Sequence, residues 1–394
     1  MKKKLLIIIP SLEVGGGAEK NAVSIANAFS IQNDVRFANF YRFKDEYELS
    51  QFRYILGEAP KKKMASKVFF FIKRIIYIYK ICAEYKPDVV LSFGFTCNLI
   101  VSLVSIRRSY RVILSIRTNI FRKSYFSPVI FRFLYNQMEA THVVTDKMKK
   151  NVQSIGIKNA VRIYNGHRLD KYKEMSQLFE ISAVTKSQFL FLTIGRLTHA
   201  KGHWNLIKSF SLVAAKNENA VLMIIGNGEL EQDILNLCKR LGITKNVLML
   251  GRVSNVFPYI KRANCFCFTS FFEGLPNSLI EAAALGVPIV STDCVSGPRE
   301  ILFPDLGVDQ LIEYPYNNGL YTLVDRFVEE PYDGGLKLTD QHRRYAAVMS
   351  RILDLNKTMT TTREKEQLQN APELSRFDEV EVSKQWCNLI NKTD

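Results

Sequence analysis

Two glutamates, Glu273 and Glu281, lie close together in a stretch that could bind a phosphate and the groups beside it. Residues 265–270 form a short apolar run, the pattern of a buried strand. Residues 278–285 are predicted to form a helix that stops at Gly286. Free backbone N–H groups and the positive end of that helix would then lie at the carboxyl end of the strand, which favours a phosphate. The residues that would surround it are Gly274, Leu275, Pro276, Asn277 and Ser278.

The two carboxylates would not bind the phosphate themselves, because like charges repel. They could instead accept hydrogen bonds from neutral hydroxyls on either side of it, on a ribose and on a sugar. A purely structural alternative exists for Glu281. Ser278 and Glu281 form a Ser-x-x-Glu pattern, a capping box in which the glutamate only secures the helix start. From these residues alone the two interpretations are equally supported.

Two cations, Arg196 and Lys201, follow another predicted strand, Phe189–Ile194, and precede a helix predicted over residues 203–215. Two fixed cations at the end of a strand suit a diphosphate whose leaving oxygens gain charge during bond cleavage. The alternative is that both are ordinary solvated charges of a loop.

These stretches resemble the retaining glycosyltransferases of family 4, which have the GT-B fold. The resemblance rests on Glu273 and Glu281 with seven residues between them, on the flanking Glu-Gly-Leu-Pro-Asn and Glu-Ala-Ala-Ala-Leu-Gly-Val-Pro-Ile-Val, and on Gly-Arg-Leu followed by Lys-Gly around Arg196 and Lys201. It implies an α/β chain of two Rossmann-like, doubly wound domains that face each other across a cleft. It also implies that Arg196 and Lys201 bind the donor phosphates, Glu281 the ribose and Glu273 the donor sugar.

Further site residues follow from the same resemblance. The Gly-Arg-Val segment containing Arg252 and Val253 would lie along the nucleotide base. The glycine loop with Gly16 and Gly17, which opens a helix predicted over residues 18–29, would face the donor diphosphate; the alternative is a tight turn alone. The Ser-Gly-Pro-Arg-Glu stretch at 296–300 resembles transferases that use UDP-activated sugars to build bacterial surface glycans.

Many family 4 members have a histidine near residues 117–119, whereas this chain has Arg-Thr-Asn there. That sequence is similar to the branch that extends lipid-linked sugars, and Arg117 and Asn119 are the candidates for contact with the donor sugar. His142 begins a predicted strand and is interpreted as structural.

Composition sets the wider limits. A chain of 394 residues with 47% hydrophobic content can form two domains of ordinary size. Seven cysteines without a Cys-x-x-Cys pair predict reduced thiols rather than a disulfide frame or a zinc site. We expect a first domain over residues 1–172, a linker over 173–186, a donor-binding domain over 187–355, a polar loop over 356–373 and a closing helix within 374–394 that returns to the first domain.

The net charge of +16 is concentrated in the first half. Residues 1–186 contain 32 Lys and Arg against 14 Asp and Glu, a balance of +18, and the remainder has a balance of −2. Residues 61–86 combine lysines with aromatic and aliphatic residues, and residues 107–132 repeat that combination. Residues 61–86 could form a basic helix that lies in a membrane interface or a core helix with a solvated basic edge, and partial burial with contact to the anionic inner leaflet is the favoured interpretation. The basic and aromatic residues of 107–132 could also indicate a nucleic-acid partner. No nucleic-acid motif is visible, so no nucleic-acid partner is expected.

Taken together, the sequence predicts a metal-independent, retaining glycosyltransferase at the cytoplasmic face of the bacterial plasma membrane. No Asp-x-Asp sequence and no His/Cys cluster with ligand spacing occurs, so no metal or other cofactor is expected. The donor would be a UDP-sugar and the acceptor an undecaprenyl-diphosphate-linked saccharide. The alternatives are a GDP-sugar donor, a hydrolase or epimerase of the same fold, or a non-catalytic membrane or nucleic-acid binder.

Overall fold

The computed structural model describes residues 2–14, 17–58, 64–106, 109–117, 128–181, 184–185, 187–332, 334–358 and 374–392. They divide into two compact units, one formed by Met1–His167 with Arg376–Asp394 and one formed by Arg168–Ser375. Both units have α/β architecture.

The first unit is built on a seven-stranded parallel sheet with the order β3-β2-β1-β4-β5-β6-β7. Its elements are β1 (Lys4–Ile8), α1 (Gly17–Ser30), β2 (Asp34–Tyr41), β3 (Phe52–Glu58), α2 (Met64–Tyr85), β4 (Val89–Phe93), α3 (Phe95–Ser105), β5 (Arg111–Ile116), α4 (Pro128–Asn136), β6 (Ala140–Val143), α5 (Asp146–Ser154) and β7 (Ala160–Arg162). The predicted strands at 5–9, 35–40, 89–93 and 112–116 correspond to β1, β2, β4 and β5. Their apolar runs are buried between helices, as parallel sheets require.

The second unit has a sheet of the same kind, with the order β10-β9-β8-β11-β12-β14-β13, in which only β13 runs antiparallel to its neighbour. Its elements are α6 (Leu169–Met175), β8 (Phe189–Ile194), α7 (His203–Ala214), β9 (Ala220–Ile225), α8 (Glu231–Arg240), β10 (Val247–Gly251), α9 (Phe257–Arg262), β11 (Cys265–Phe268), α10 (Asn277–Ala284), β12 (Ile289–Thr292), α11 (Pro298–Leu302), β13 (Tyr316–Asn317), β14 (Tyr321–Val324) and α12 (Asp340–Thr358). In both sheets the winding reverses beside the first strand, between β1 and β4 and between β8 and β11. Open α/β sheets bind ligands at such switch points.

The first residues of the predicted linker, 173–186, are helical in the structure. Helix α6 overlaps it and belongs to the second unit. Tyr172 stacks on Phe257 with ring centroids 4.2 Å apart, and the Asn255 side-chain amide donates to the carbonyl of Met175 over 2.9 Å. These contacts tie the segment to α9, so the division between the units falls at His167 and not after residue 172.

The last helix, α13 (Glu379–Asn391), belongs to the first unit. Trp386 is buried, with its ring 4.5 Å from that of His142. The Arg111 guanidinium donates to the carbonyl oxygens of Leu389 and Ile390, both over 3.1 Å, which places a cation at the negative end of the helix. Most of the predicted polar loop, residues 359–373, lies outside the described residues.

No helix among the described residues is long and apolar enough to cross a membrane.

Candidate active site

The candidate site lies in the second unit, at the switch point between β8 and β11. These strands are adjacent and parallel, so the loops that follow them start at the same edge of the sheet. Arg196 and Lys201 lie in the loop after β8, and Glu273 lies in the loop after β11. The topology therefore brings together residues that are more than 70 positions apart in the sequence.

The loop after β8 is held against its neighbour by backbone contacts. Leu197 N–H donates to the carbonyl of Asn227 over 2.9 Å, and Leu230 N–H donates to the carbonyl of Leu197 over 3.0 Å. Gly226 has φ +137°, and a Cβ there would lie 2.0 Å from the carbonyl oxygen of Gly195. Only glycine fits such an approach, so the loop after β9 fixes the path of the loop that carries both cations.

Lys201 and Glu273 form a direct ion pair. Nζ of Lys201 lies 2.5 Å from Oε1 of Glu273, and both side chains are largely buried. The aliphatic chain of Lys201 passes over Gly195, where a Cβ would lie 3.4 Å from its Cε. A charge-assisted hydrogen bond in such a place is strong because little water competes for it. The ammonium predicted for the phosphate and the carboxylate predicted for the sugar thus neutralise each other in this state.

Ser270 supports the same carboxylate. Its hydroxyl donates to Oε1 of Glu273 over 2.8 Å, and its carbonyl accepts a hydrogen bond of 3.0 Å from the hydroxyl of Thr292 on β12. Ser270 and Thr292 are buried, so this chain of hydrogen bonds fixes Glu273 from the sheet side. In the sequence, Ser270 stands out only as the last residue of the strand predicted over 265–270. The signal that could have found it is its position, three residues before Glu273 in a loop.

The start of α10 does not have the capping box that was the structural alternative for Glu281. The N-cap residue is Pro276, and no side-chain hydrogen bond caps the helix. Ser278 is therefore already inside the first turn, where its side chain cannot act as the N-cap. The preceding loop is fixed from another direction, since the Ser296 hydroxyl donates to the carbonyl of Gly274 over 3.0 Å. Glu281 is buried one turn into the helix.

The loop around Ser296 fits tightly against the helix start. Gly297 has φ +101°, and a Cβ there would lie 2.4 Å from Cδ of Pro276. The contact fixes the position of Asn277 and Ser278, the residues at the first turn of α10. The Ser-Gly pair of the 296–300 motif therefore shapes the predicted phosphate site.

Arg299, in the same motif, has a structural partner. Its guanidinium forms two hydrogen bonds of 2.8 and 2.6 Å to Oδ2 of Asp293, and the hydroxyl of Tyr314 donates to the same oxygen. The carboxylate raises the pKa of Arg299, and burial with Asp293 nearby raises the pKa of Tyr314 to about 12. Because its hydrogen bonds are used here, Arg299 anchors the segment after α11.

Arg252 and Val253 follow β10, which is separated from β8 by β9 in the sheet. Arg252 is exposed and Val253 is half-buried. Gly226 N–H donates to the carbonyl of Gly251 over 2.8 Å, so this loop is joined to the loop that supports Arg196. Arg196 is itself exposed at the sheet edge.

In the first unit, Arg117 joins three loops at the carboxyl edge of the sheet. Its Nη2 donates to the carbonyl of Gly17 over 3.0 Å and to Oδ1 of Asn165 over 2.6 Å. Burial lowers the pKa of Arg117 to about 10. Asn119 and Gly16 lie outside the described residues, so their predicted contacts stay predictions.

His142 has the structural environment that its sequence position indicates. Its Nε2 lies 2.9 Å from the carbonyl of Ile163 and must donate, so Nδ1 accepts from the Ser115 hydroxyl at 2.8 Å. Burial, reinforced by the charge of Arg117, lowers the pKa of His142 to about 3. The imidazole is therefore neutral and has both nitrogens occupied.

The described ranges contain no group of three or more His, Cys, Asp or Glu side chains arranged to hold a metal ion.

Residues 174–331, which include this site, match the model of the family described as glycosyl transferases group 1. An uncharacterized glycosyltransferase of Methanocaldococcus jannaschii is 32% identical over 396 residues, which cover 94% of this chain and 95% of the relative. The chain belongs to the group 1 glycosyltransferases. The expected resemblance to family 4 enzymes of GT-B fold is thereby confirmed.

Other glycosyltransferases are similar over most of the chain. The Campylobacter jejuni GalNAc-α-(1→4)-GalNAc-α-(1→3)-diNAcBac-PP-undecaprenol α-1,4-N-acetyl-D-galactosaminyltransferase is 29% identical over 310 residues, covering 76% of this chain and 82% of the relative. Among solved structures, Anabaena HepE in complex with UDP has a TM-score of 0.72 at 16% identity, covering 99% of both chains. A Rickettsia africae glycosyltransferase has a TM-score of 0.73 at 14% identity, covering 100% of both.

Proposed function

We propose that this glycosyltransferase moves a hexose or N-acetylhexosamine from a UDP-sugar to an undecaprenyl-diphosphate-linked saccharide, with retention of anomeric configuration and without a metal ion. The observation that carries the proposal is the Lys201–Glu273 pair at the switch point of the second sheet, beside the start of α10. It sets a cation for a diphosphate next to a carboxylate for a sugar hydroxyl.

The donor diphosphate would receive positive charge from three sources, the Arg196 guanidinium, the Lys201 ammonium and the first turn of α10. Arg196 is exposed and available to a ligand, and the helix start has backbone N–H groups at Asn277 and Ser278. Together these groups would stabilise the charge that develops on the departing phosphate, the role that a metal ion has in other transferases. This is the reason to propose metal independence.

Binding of the diphosphate would separate Lys201 from Glu273. The phosphate offers Lys201 more negative charge than one carboxylate does, and Glu273, still held by Ser270, would then accept from a donor-sugar hydroxyl. Glu281, buried in the next turn, would accept from the ribose hydroxyls. The backbone of Arg252 and Val253 would contact the base.

UDP is the proposed nucleotide because HepE, whose fold this chain shares, has been crystallised with UDP and with UDP-glucose. The acceptor class is proposed because two Campylobacter jejuni relatives are named for undecaprenol-linked substrates. Glycan building also occurs among similar proteins, such as the amylovoran biosynthesis glycosyltransferase of Erwinia amylovora. In the first unit, Gly16, Gly17, Arg117 and Asn119 stay candidates for contacts with donor and sugar.

The proposed transfer occurs on one face of the sugar. The acceptor oxygen forms a bond to the anomeric carbon, the bond from that carbon to the β-phosphate oxygen breaks, and the acceptor proton passes to the departing phosphate. The products are UDP and a glycoside with the configuration of the donor. No protein nucleophile is assigned to the step.

A transfer assay tests this function. The purified protein is incubated with a panel of UDP- and GDP-sugars and with undecaprenyl-diphosphate-linked saccharides, with and without EDTA, and the new linkage is analysed by NMR. We expect transfer from one UDP-sugar, undiminished by EDTA, with an α-linked first product from an α-linked donor. Release of sugar to water with no acceptor requirement, or an inverted linkage, would contradict the proposal. Lys245→Ala, at an exposed cation away from the site, is the control variant for the preparation.

A further inference from the structure

Helix α2 has an apolar stripe that faces solvent. Phe69, Ile72, Ile76 and Tyr79 are each about half exposed or more, at 66%, 52%, 50% and 49%, and they recur every three or four residues. That spacing aligns them along one side of the helix. Val68, 62% exposed, extends the stripe at its start.

The stripe is not required by the core, because α2 has a separate buried side. Ile78, Ile81, Cys82 and Tyr85 are buried on it. Arg74 also turns inward, where its guanidinium donates to the Tyr41 hydroxyl over 2.6 Å. The helix is therefore held on the sheet by one side while an apolar second side stays exposed.

Two neighbouring helices extend the exposed surface. Helix α3 packs against both α2 and α4, and the rings of Phe95 and Phe131 lie 5.4 Å apart between α3 and α4. Leu103 on α3 is 41% exposed, and Val129, Ile130 and Phe133 on α4 are 60%, 49% and 60% exposed. Exposed large apolar side chains thus recur on three helices that pack one against the next, and such a concentration marks an interaction surface.

Cations accompany this surface. Lys73 and Lys80 on α2 and Arg132 on α4 are exposed among the apolar residues. Over the described part of α2, only Glu84 adds an exposed acid, near the end of the helix. Aromatic and aliphatic side chains mixed with lysines complement an anionic bilayer, where apolar groups enter the acyl boundary and cations meet the headgroups. The positive balance of the first half favours the same partner.

We propose that the surface formed by α2, α3 and α4 docks onto an anionic lipid bilayer, with α2 lying in the plane of the interface. The inference rests on the proposed function in one respect, since it gives the lipid-linked acceptor its location. Beyond the proposed function, the inference names the surface that meets the membrane and the orientation of the first unit. The sheet face that α2 covers is the one turned towards the membrane.

Co-sedimentation with vesicles tests the docking without an activity assay. The full chain is mixed with vesicles of phosphatidylethanolamine and phosphatidylglycerol, and separately with vesicles of phosphatidylcholine. We expect binding to the anionic vesicles and much weaker binding to the neutral ones. The triple variant Phe69→Ser, Ile72→Ser, Ile76→Ser should have a vesicle affinity at least about tenfold lower than the parent's, because it removes three large apolar groups from the interface. The double variant Lys73→Glu, Lys80→Glu should have an affinity for anionic vesicles about tenfold lower than the parent's, and this difference should be smaller at high salt.

Matched controls separate the surface from general effects. Ile31→Ser with Val380→Ser removes two exposed apolar residues outside the three helices, and Lys239→Glu with Lys245→Glu makes the same charge change in the second unit. Both should bind vesicles as the parent does. Equal binding by patch and control variants would overturn the proposal. So would absence of vesicle binding together with a dimer that the triple variant converts to monomers. UDP affinity, measured without vesicles, should be the same in the parent and in these variants, which shows that the variants remain folded. Absence of UDP binding by the parent would count against the proposed function and not against the docking surface.

Discussion

Nζ of Lys201 and Oε1 of Glu273 lie 2.5 Å apart, although the sequence assigns these side chains to different parts of a substrate. The pair is a ground-state contact that a bound diphosphate would have to replace. This competition leads to a prediction about the glutamate that is not obvious from its proposed role in transfer.

The variant Glu273→Gln should bind UDP more tightly and yet transfer sugar poorly. Removing the carboxylate frees Lys201 for the phosphate and removes a like charge beside it, so the Kd for UDP should fall by about threefold or more. Transfer should fall by about a hundredfold, because an amide accepts the sugar hydroxyl less well in the transition state. Titration calorimetry and a transfer assay measure the two effects, with Glu218→Gln, an exposed acid of the same unit, as control. Weaker UDP binding by Glu273→Gln would exclude the competition.

Ser270→Ala should affect transfer through Glu273. The variant loses the 2.8 Å hydrogen bond to Oε1, so the carboxylate is less well oriented, and kcat should fall about tenfold with KM little changed. The free energy of unfolding should fall by about 1 kcal/mol. Ser211→Ala removes a comparable hydrogen bond, to the carbonyl of Lys208, away from the site. If both variants lose stability and neither loses kcat, Ser270 is structural only.

Gly226→Ala should displace the loop after β8, which carries Arg196 and Lys201. A Cβ at Gly226 would lie 2.0 Å from the carbonyl oxygen of Gly195, so the loop carrying Arg196 and Lys201 must shift. UDP affinity should fall about tenfold and the free energy of unfolding by about 3 kcal/mol. Gly242→Ala is the matched control, since Gly242 also has positive φ, +70°, but a Cβ there meets nothing within 4 Å. It should cost about 1 kcal/mol of stability and leave UDP binding intact. Equal UDP affinity in the two variants would contradict the contact.

Stability should fall on mild acidification, with His142 as one cause. Its folded-state pKa of about 3 lies below the ordinary value, so the unfolded chain takes up the proton first. The stability that the neutral imidazole contributes is fully present above the ordinary pKa of about 6.5 and is lost as the pH falls. By pH 5 the loss in the free energy of unfolding reaches about 2 kcal/mol. Denaturant unfolding at pH 7.5 and pH 5 measures the loss. His142→Gln should reduce the difference between the two pH values, and an unchanged difference would refute the assignment.

Much of the fold could be predicted because each sheet leaves a local signal. The strands β4 and β8 coincide with their apolar runs, since both faces of a parallel sheet are covered and every residue can be apolar. Strand β3 was missed because it lies at the sheet edge, where Phe52 is 59% exposed and the apolar run is broken. Helix α6 was missed because it has only seven residues and depends on Tyr172 packing against Phe257.

The sequence motifs named the candidate site residues, but they could not predict the contacts between those residues. The motif positions indicated Arg196, Lys201, Glu273 and Glu281, and the topology places the loops that carry the first three at one edge of the sheet. The Lys201–Glu273 pair depends on two loops meeting across β8 and β11, which no local pattern encodes. The Ser-x-x-Glu pattern could not decide between a capping box and a ligand contact, because the helix start depends on the N-cap residue Pro276, two residues before Ser278.

The most direct measurement of the central claim is a calorimetric titration of UDP, GDP and ADP into the parent chain, Arg196→Ala, Lys201→Ala and the control Lys245→Ala. We expect the parent and the control to bind UDP in preference to the other two nucleotides. Each site variant should lose about tenfold or more in UDP affinity while remaining folded, because one charge-assisted contact to the diphosphate is gone. Absence of nucleotide binding by the parent, or unchanged UDP affinity in both site variants, would contradict the assignment of this pocket as the donor site.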